Sequence, residues 1–383
     1  MTVDKNILIR NVYYMLSYAF QELKQSNYDN IAGEEFDNIH QLLAEILLRG
    51  VSFQLKQGLH REYVQVNETL MTVRGRIDIP GTIAERTRQR TGIACEHDEF
   101  SEDCIFNRII KSTMSLLLRT DGLRDGQPAA LKRLMPYFDG VGEVQPSQIA
   151  WSALRFDRNT RTYRMLLYIC NFIIEGILLT TETGRYRMRE FSDDRMCRLF
   201  EKFILEYYRK EHPQTSAEAK QIGWDADREN STMDILPILQ TDVFLTLGQR
   251  SLIIDAKYYS HTMQAKFEKK KIHSANLNQI YVYMDNEDRK RAVRGSVDGM
   301  LLYAKTNETI VPDGHLRRSD GNTIWFRTLD LGVEFKQIRA QLDSIVEMGR
   351  YFDASTGRTA AFRRSSAQIA GPKVVPKLTP KYH

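Results

Sequence analysis

Three ionisable residues stand where the sequence otherwise reads as a buried sheet. In "TDVFLTLGQRSLIIDAKYY", residues 241–259, Asp242 heads one apolar run, while Asp255 and Lys257 close the next. A short polar turn containing Gly248 separates the runs, which is the pattern of a β-hairpin. Such a hairpin sets Asp242 beside Asp255 near one end, and the period of two along a strand puts Asp255 and Lys257 on one face. Two ionised carboxylates that close repel, and burying them in an apolar sheet is costly unless a divalent cation neutralises them. Hard oxygen donors suit Mg2+, with Mn2+ as a substitute. The chemistry of such a trio is phosphodiester hydrolysis: carboxylates that hold the metal, a metal that activates water, and an ammonium that orients the nucleophile or stabilises developing charge. The competing reading is structural, with Asp242 capping a turn and Asp255 and Lys257 forming an ion pair.

Elements on either side must position these groups. Downstream, "SANLNQIYVYMDN" has helical spacing and puts Gln279 and Tyr283 four residues apart on one face. Upstream, "RLFEKFILEYY" sets Glu201 beside an apolar stripe of Leu199, Phe200, Phe203 and Ile204. Taken alone, a polar Gln279 on an otherwise apolar helix is more often a satisfied core amide than a site residue. The order helix-Glu, hairpin Asp, Asp-x-Lys, helix Gln-x-x-x-Tyr is far more specific than any one piece. It resembles the PD-(D/E)xK nuclease superfamily, in the branch that includes RecB-type exonuclease domains. The resemblance implies that Asp242 and Asp255 bind metal, that the Ala256 carbonyl and Glu201 join them, that Lys257 is catalytic, and that Gln279 and Tyr283 support the site or contact DNA backbone. Thr241 stands where the superfamily has proline.

The rest of the chain divides by its periodicity. Apolar residues at helical spacing predict helices over residues 9–25 and 36–58, and again over 103–119 and 127–138. Between them, residues 61–90 alternate, which predicts a projecting β-ribbon with Tyr63, Val64 and Val66 in one strand and Met71, Val73, Ile77 and Ile79 in the other, closed by Pro80-Gly81. A polar stretch near 157–162 places a domain boundary after residue 160, and a long helix, "TRTYRMLLYICNFIIEGILL", follows it. Beyond it, a helix-led mixture of strands and helices through residue 354 predicts an α/β domain. Residues 355–383 carry prolines among Ser, Ala and Lys and read as a flexible basic tail. With the superfamily resemblance, the fold class is α/β: an α+β N-terminal domain over residues 1–160, then a restriction-endonuclease-like mixed sheet flanked by helices over 161–354.

Composition excludes several other classes. At 42% hydrophobic and 27% charged residues, the 383-residue chain is globular. Its longest apolar run is broken by Asn171 and Glu175 and is too short to span a bilayer, and residues 1–10 lack a signal-peptide core, so a cytoplasmic protein is expected. The tail's six cations exceed the whole-chain excess of +5 and leave the body at −1, so any binding to nucleic acid must come from local patches. "CEHDEFSEDC" reads as a solvated acidic loop rather than a zinc site through Cys95, His97 and Cys104. The GxxxxGK[ST] phosphate loop is absent, so this chain is not expected to hydrolyse nucleotide through one.

The segments "RNVYYMLSYA", "VRGRIDIPGTI", "EDCIFNRIIKST", "NTRTYR", "KFILEYYRKE", "IIDAKYYS" and "HSANLNQI", spanning about residues 10–280, are similar to the McrC family of nuclease subunits in McrBC methylation-dependent restriction systems. That likeness implies a DNA-cleaving subunit acting on double-stranded DNA with a hexameric AAA+ GTPase, which binds the GTP and recognises modified cytosine. The N-terminal domain would dock on that partner and stimulate it, with Arg74 and Arg76 at the ribbon tip entering the ring pore. Arg86, Arg88 and Arg90 face either phosphate or solvent. Two other classes stay open: a nuclease acting on DNA ends in processing or repair, and a non-catalytic activator whose nuclease-like domain clamps DNA.

Overall fold

The computed structural model describes the chain apart from residues 1–2, 5–6, 25–27, 29, 180–185, 189–192, 228, 259–262, 267–268, 306–310 and 356–383. Its first half is helical: α1 (Ile9–Ala19), α2 (Ile39–Gln57), α4 (Ile105–Leu118), α5 (Gln127–Leu134) and α6 (Arg161–Gly176). Asn38 starts α2 by accepting a hydrogen bond from the Gln41 N–H, and its apolar stripe, from Leu42 to Val51, is buried. α6 packs against α2 and α4. It stops at Gly176, shorter than the periodicity predicts, and Ile177–Leu179 instead pairs as a strand with Tyr186–Met188. Glycine weakens a helix interior, and the β-branched Ile177 after it favours extension.

An arm projects from this half. β1 (Glu62–Leu70) pairs antiparallel with β3 (Ile93–Ser101) over its whole length, and a two-residue β2 (Arg76–Ile77) adds to the far edge of β3. This corrects two expectations. The second strand of the ribbon is residues 93–101, not 71–79, and Pro80-Gly81 does not close a hairpin. Asp78 caps helix α3 (Ile79–Thr87) by accepting from the Gly81 N–H, and Pro80 occupies the first turn, where its missing N–H costs nothing. The supposed acidic loop is therefore strand β3, with Cys95 and His97 buried on one face and the acids Glu96, Asp98 and Glu99 between or beyond them. Gly75 has φ 68°, and a Cβ there would lie 2.5 Å from the Glu96 carbonyl oxygen, so only glycine lets the chain tuck this closely against β3.

The second half is a five-stranded mixed sheet of β4 (Val243–Leu247), β5 (Arg250–Lys257), β6 (Val297–Ala304), β7 (Gly314–Arg317) and β8 (Thr323–Leu329), in the order β4-β5-β6-β8-β7. The central neighbours β5, β6 and β8 run parallel, and both edge pairs are antiparallel. Helices cover both faces, which makes the chain an α/β protein. Leu252, Ile254 and Ala256 join the core shared with α7 (Asp193–Glu211) and α9 (Phe335–Ser355), while Ile253 and, from β6, Leu301 and Tyr303 pack under α8 (Ser274–Asp288). The first of these cores is continuous with the helical half. α1 packs on α7, and the Asn11 amide donates to the carbonyls of Leu331 and Val333 at 2.8 and 2.7 Å. The basic tail beyond Ser355 lies outside the described residues. Among the described residues no helix is long and apolar enough to cross a membrane.

Candidate active site

The hairpin forms as its pattern predicts. Val243 pairs with Ile254, and the ladder closes at Leu247–Arg250 around a two-residue turn in which Gly248 has φ 63°. Extending this register by one residue sets Asp242 opposite Asp255, just beyond the last ladder pair. One Asp242 oxygen, Oδ2, accepts the Ala256 N–H at 2.8 Å and so holds the carboxyl against the end of β5.

Asp255 and Lys257 lie on the face of β5 that α8 covers, opposite to the Ala256 side. Lys257 Nζ donates to Asp255 Oδ1 at 2.9 Å and approaches Gln279 Oε1 at 3.4 Å. Gln279 Nε2 donates to the Tyr283 hydroxyl at 2.9 Å, and that hydroxyl donates to the Gln240 carbonyl at 2.9 Å. This chain of contacts fixes the ammonium from two sides. Gly299 makes it possible: a Cβ there would lie 2.5 Å from Met284 Sδ and 2.7 Å from Ile280 Cγ1, so a side chain on β6 would push α8, and Gln279 with it, off the sheet.

Glu201 approaches from the other side on α7. Cys197, one turn earlier, donates its thiol to Glu201 Oε1 at 3.0 Å and lies 4.0 Å from the Ala256 carbonyl oxygen. Burial, reinforced by the bond to Glu201, pushes the thiol up to about 12, so it stays protonated and serves as a donor. Neither Cys197 nor the Gln240 carbonyl was singled out by the sequence. The first carries only the four-residue helical spacing to Glu201, and a backbone carbonyl carries no signal at all.

Electrostatics mark the two aspartates as strained. Burial, then the negative charges of Asp255 and Glu201, push the Asp242 carboxyl up to about 8. Burial also raises Asp255, opposed by Lys257. Asp255 is only 1% exposed, and its second oxygen, Oδ2, meets no donor among the described residues other than the neighbouring carboxyl of Asp242. Two adjacent buried carboxyls, one of them keeping its proton far above the usual carboxylate range, are the donor set a hard divalent cation relieves. The residues therefore fit Mg2+: Asp242, Asp255 and the Ala256 carbonyl are at hand, with Glu201 on the flank. Among the described residues no three His, Cys, Asp or Glu side chains are gathered closely enough to hold a metal ion, so Glu201 does not complete a set with the two aspartates, the cage is open, and water would have to complete the shell. Tyr283 is held as a neutral phenol, raised by burial and by the two aspartate charges against the Gln279 bond.

Arg74 and Arg76 lie on the arm and not in this cluster. Arg76 is 84% exposed, with only Glu96 at 3.9 Å. Arg88 and Arg90, just past the end of α3, both reach back to Glu85 in that helix, at 3.1 and 3.3 Å.

The chain is 28% identical over 347 residues to the type IV methyl-directed restriction enzyme EcoKMcrBC of Escherichia coli strain K12, covering 89% of this chain and 97% of that relative. Two solved structures from Thermococcus gammatolerans are similar to it. One is the half-complex from a tetradecameric assembly of McrB AAA+ hexamers with bound McrC, with 18% identity, a TM-score of 0.44, and 88% of this chain and 78% of that one covered. The other is the McrBC complex, with 20% identity, a TM-score of 0.38, and 53% and 58% covered. The profile of the McrBC 5-methylcytosine restriction system component family matches residues 4–304, and the chain belongs to that family.

Proposed function

We propose that this chain is the Mg2+-dependent DNA endonuclease subunit of a modification-dependent restriction complex, cleaving methylated foreign DNA together with a hexameric AAA+ GTPase. One observation carries the reading: a buried Asp255 whose Oδ2 meets no donor but the carboxyl of Asp242, with Lys257 on its other oxygen. When bound, Mg2+ supplies Lewis-acid polarisation of the scissile phosphate and a water of lowered pKa. Asp242 and Asp255 hold it, and the Ala256 N–H keeps Asp242 from turning away. Lys257 places a positive charge where the pentacoordinate phosphate gains negative charge, or orients the attacking water. Gln279 keeps the ammonium aimed there, and Tyr283 keeps Gln279 in its rotamer. The arm, with Arg74 and Arg76, docks on the partner ring and stimulates its GTP hydrolysis.

The test is cleavage of a methylated plasmid by the two-subunit complex. Asp255→Asn or Lys257→Ala abolishes nicking and double-strand cleavage while the partner's stimulated GTPase persists. Cleavage retained by either variant would remove these residues from the mechanism. The open cage favours a second reading, a non-catalytic clamp on DNA. A clamp would bind duplex DNA but show no carboxylate-dependent Mg2+ or Mn2+ binding.

A further inference from the structure

Three cations on α6 and α7 pair with no acid among the described residues. Arg164 lies on the first turn of α6, and Arg198 and Lys202 sit four residues apart on α7. Arg164 and Arg198 are exposed, and none of the three makes a hydrogen bond or ion pair with the described residues. Their neighbours do: Arg195 is held by Glu175 and Asn171, and Arg209 by Glu206 at 2.7 Å. Glu175 and Glu206 are thus already engaged.

Lys202 is the most constrained of the three. Its Nζ stands 3.7 Å from the centre of the Phe20 ring and 5.7 Å from that of Tyr168, so two aromatic faces fix a half-buried ammonium. The position of the stripe identifies the anion. Lys202 follows Glu201 directly, Arg198 precedes it by less than one turn, and the charges of Arg195, Arg198 and Glu201 all act on Tyr168. A strand seated at Asp242 and Asp255 that ran on past Glu201 along this flank would bring one negative charge for roughly every 3.4 Å of its length.

We propose that Arg164, Arg198 and Lys202 form a phosphate-binding stripe that holds the DNA backbone alongside the nuclease centre, an inference that rests on the nuclease reading above. Its test is the salt dependence of binding of a fluorescein-labelled 30-base-pair duplex to the full chain in EDTA, followed by anisotropy. Replacing the three residues together (R164A, R198A, K202M) lowers the slope of log affinity against log salt by about 2 to 3 and weakens binding by roughly tenfold or more at low salt. The exposed pair alone, R164A with R198A, avoids disturbing the aromatic clamp and lowers the slope by about 2. Unchanged slope and affinity in both variants would overturn the stripe. A change in assembly with the partner ring, with no change in slope, would also overturn it, by assigning the cations to a protein contact. A wild-type chain without salt-dependent affinity for DNA would instead overturn the nuclease reading itself.

Discussion

The five-stranded sheet and the arm break the ordinary rules of burial in opposite directions. The sheet buries charge. Asp255 and Lys257 stand on a strand whose other positions are almost all covered, at a cost that a metal and a phosphate would offset. The arm exposes oil. Tyr63, Met71, Val73, Ile77, Ile79, Ile83 and Phe100 are seven of the twelve large apolar side chains most exposed among the described residues, and α3 buries none of its own. Buried charge without a full set of partners points to a small, hard ligand, whereas exposed apolar surface on a projecting element points to a macromolecular one. The contrast separates chemistry from docking within one chain, and it can be attacked from either side.

The largest separation is expected from the arm's arginines. Replacing Arg74 and Arg76 by alanine should lower the partner's stimulated GTPase by roughly 100-fold, the scale of losing a charge-stabilising group, while Mn2+ binding by the nuclease half stays as in wild type. Loss of metal binding in that variant would mean that the two regions are not independent. The next effect belongs to the sheet. Gly299→Ala forces α8 outward and should cost about 1–3 kcal/mol in chemical denaturation, with a matching loss of cleavage as Gln279 leaves Lys257. Wild-type stability would show that Met284 and Ile280 move aside without disturbing the helix.

A third prediction uses proton linkage. Asp242 is raised to about 8 in the folded chain from an ordinary carboxyl value of 3.8, so between those limits the folded state keeps a proton that the unfolded state has lost. Stability in EDTA is then complete below about pH 4 and falls as pH rises towards 8. Asp242→Asn should flatten that slope in a thermal-melt series, and saturating Mg2+, which binds the ionised form, should also reduce it. A pH-independent midpoint in the wild-type chain would contradict the strained pair. The smallest effect is again on the arm. Ile79→Ser with Ile83→Ser should change unfolding free energy by only about 0.5 kcal/mol, because both side chains are already in water, yet should weaken binding to the partner ring. A large loss of stability would place α3 in the fold rather than at an interface.

The two regions also differ in how much of them the sequence discloses. The hairpin, the Asp-x-Lys strand and the Gln-x-x-x-Tyr helix are local patterns with strict periods, so Asp242, Asp255, Lys257, Gln279 and Tyr283 come together as their spacing implies. Their junction needs no long-range guess beyond α8 lying on β5, which Gly299 permits and alternation alone does not announce. The arm was legible in composition but not in pairing. Residues 71–79 alternate well enough to pass for a strand, yet Gly75 and the Asp78-x-x-Gly81 cap divert the chain into a tuck and a helix. The acids of residues 96–102 hide a strand because its two inward residues, Cys95 and His97, are not conventional strand formers. Cys197 escaped notice because a thiol that only donates to a glutamate has no sequence signature.

The claim on which the rest depends is that the carboxyls of Asp242 and Asp255 jointly bind one divalent cation. Titrating Mn2+ into the metal-free full chain at neutral pH, followed by calorimetry and by the electron paramagnetic resonance of free Mn2+, tests it most directly. The account predicts one site in the wild-type chain that is lost in both Asp242→Asn and Asp255→Asn. The same site persisting in either variant, or no site in the wild-type chain, would contradict it.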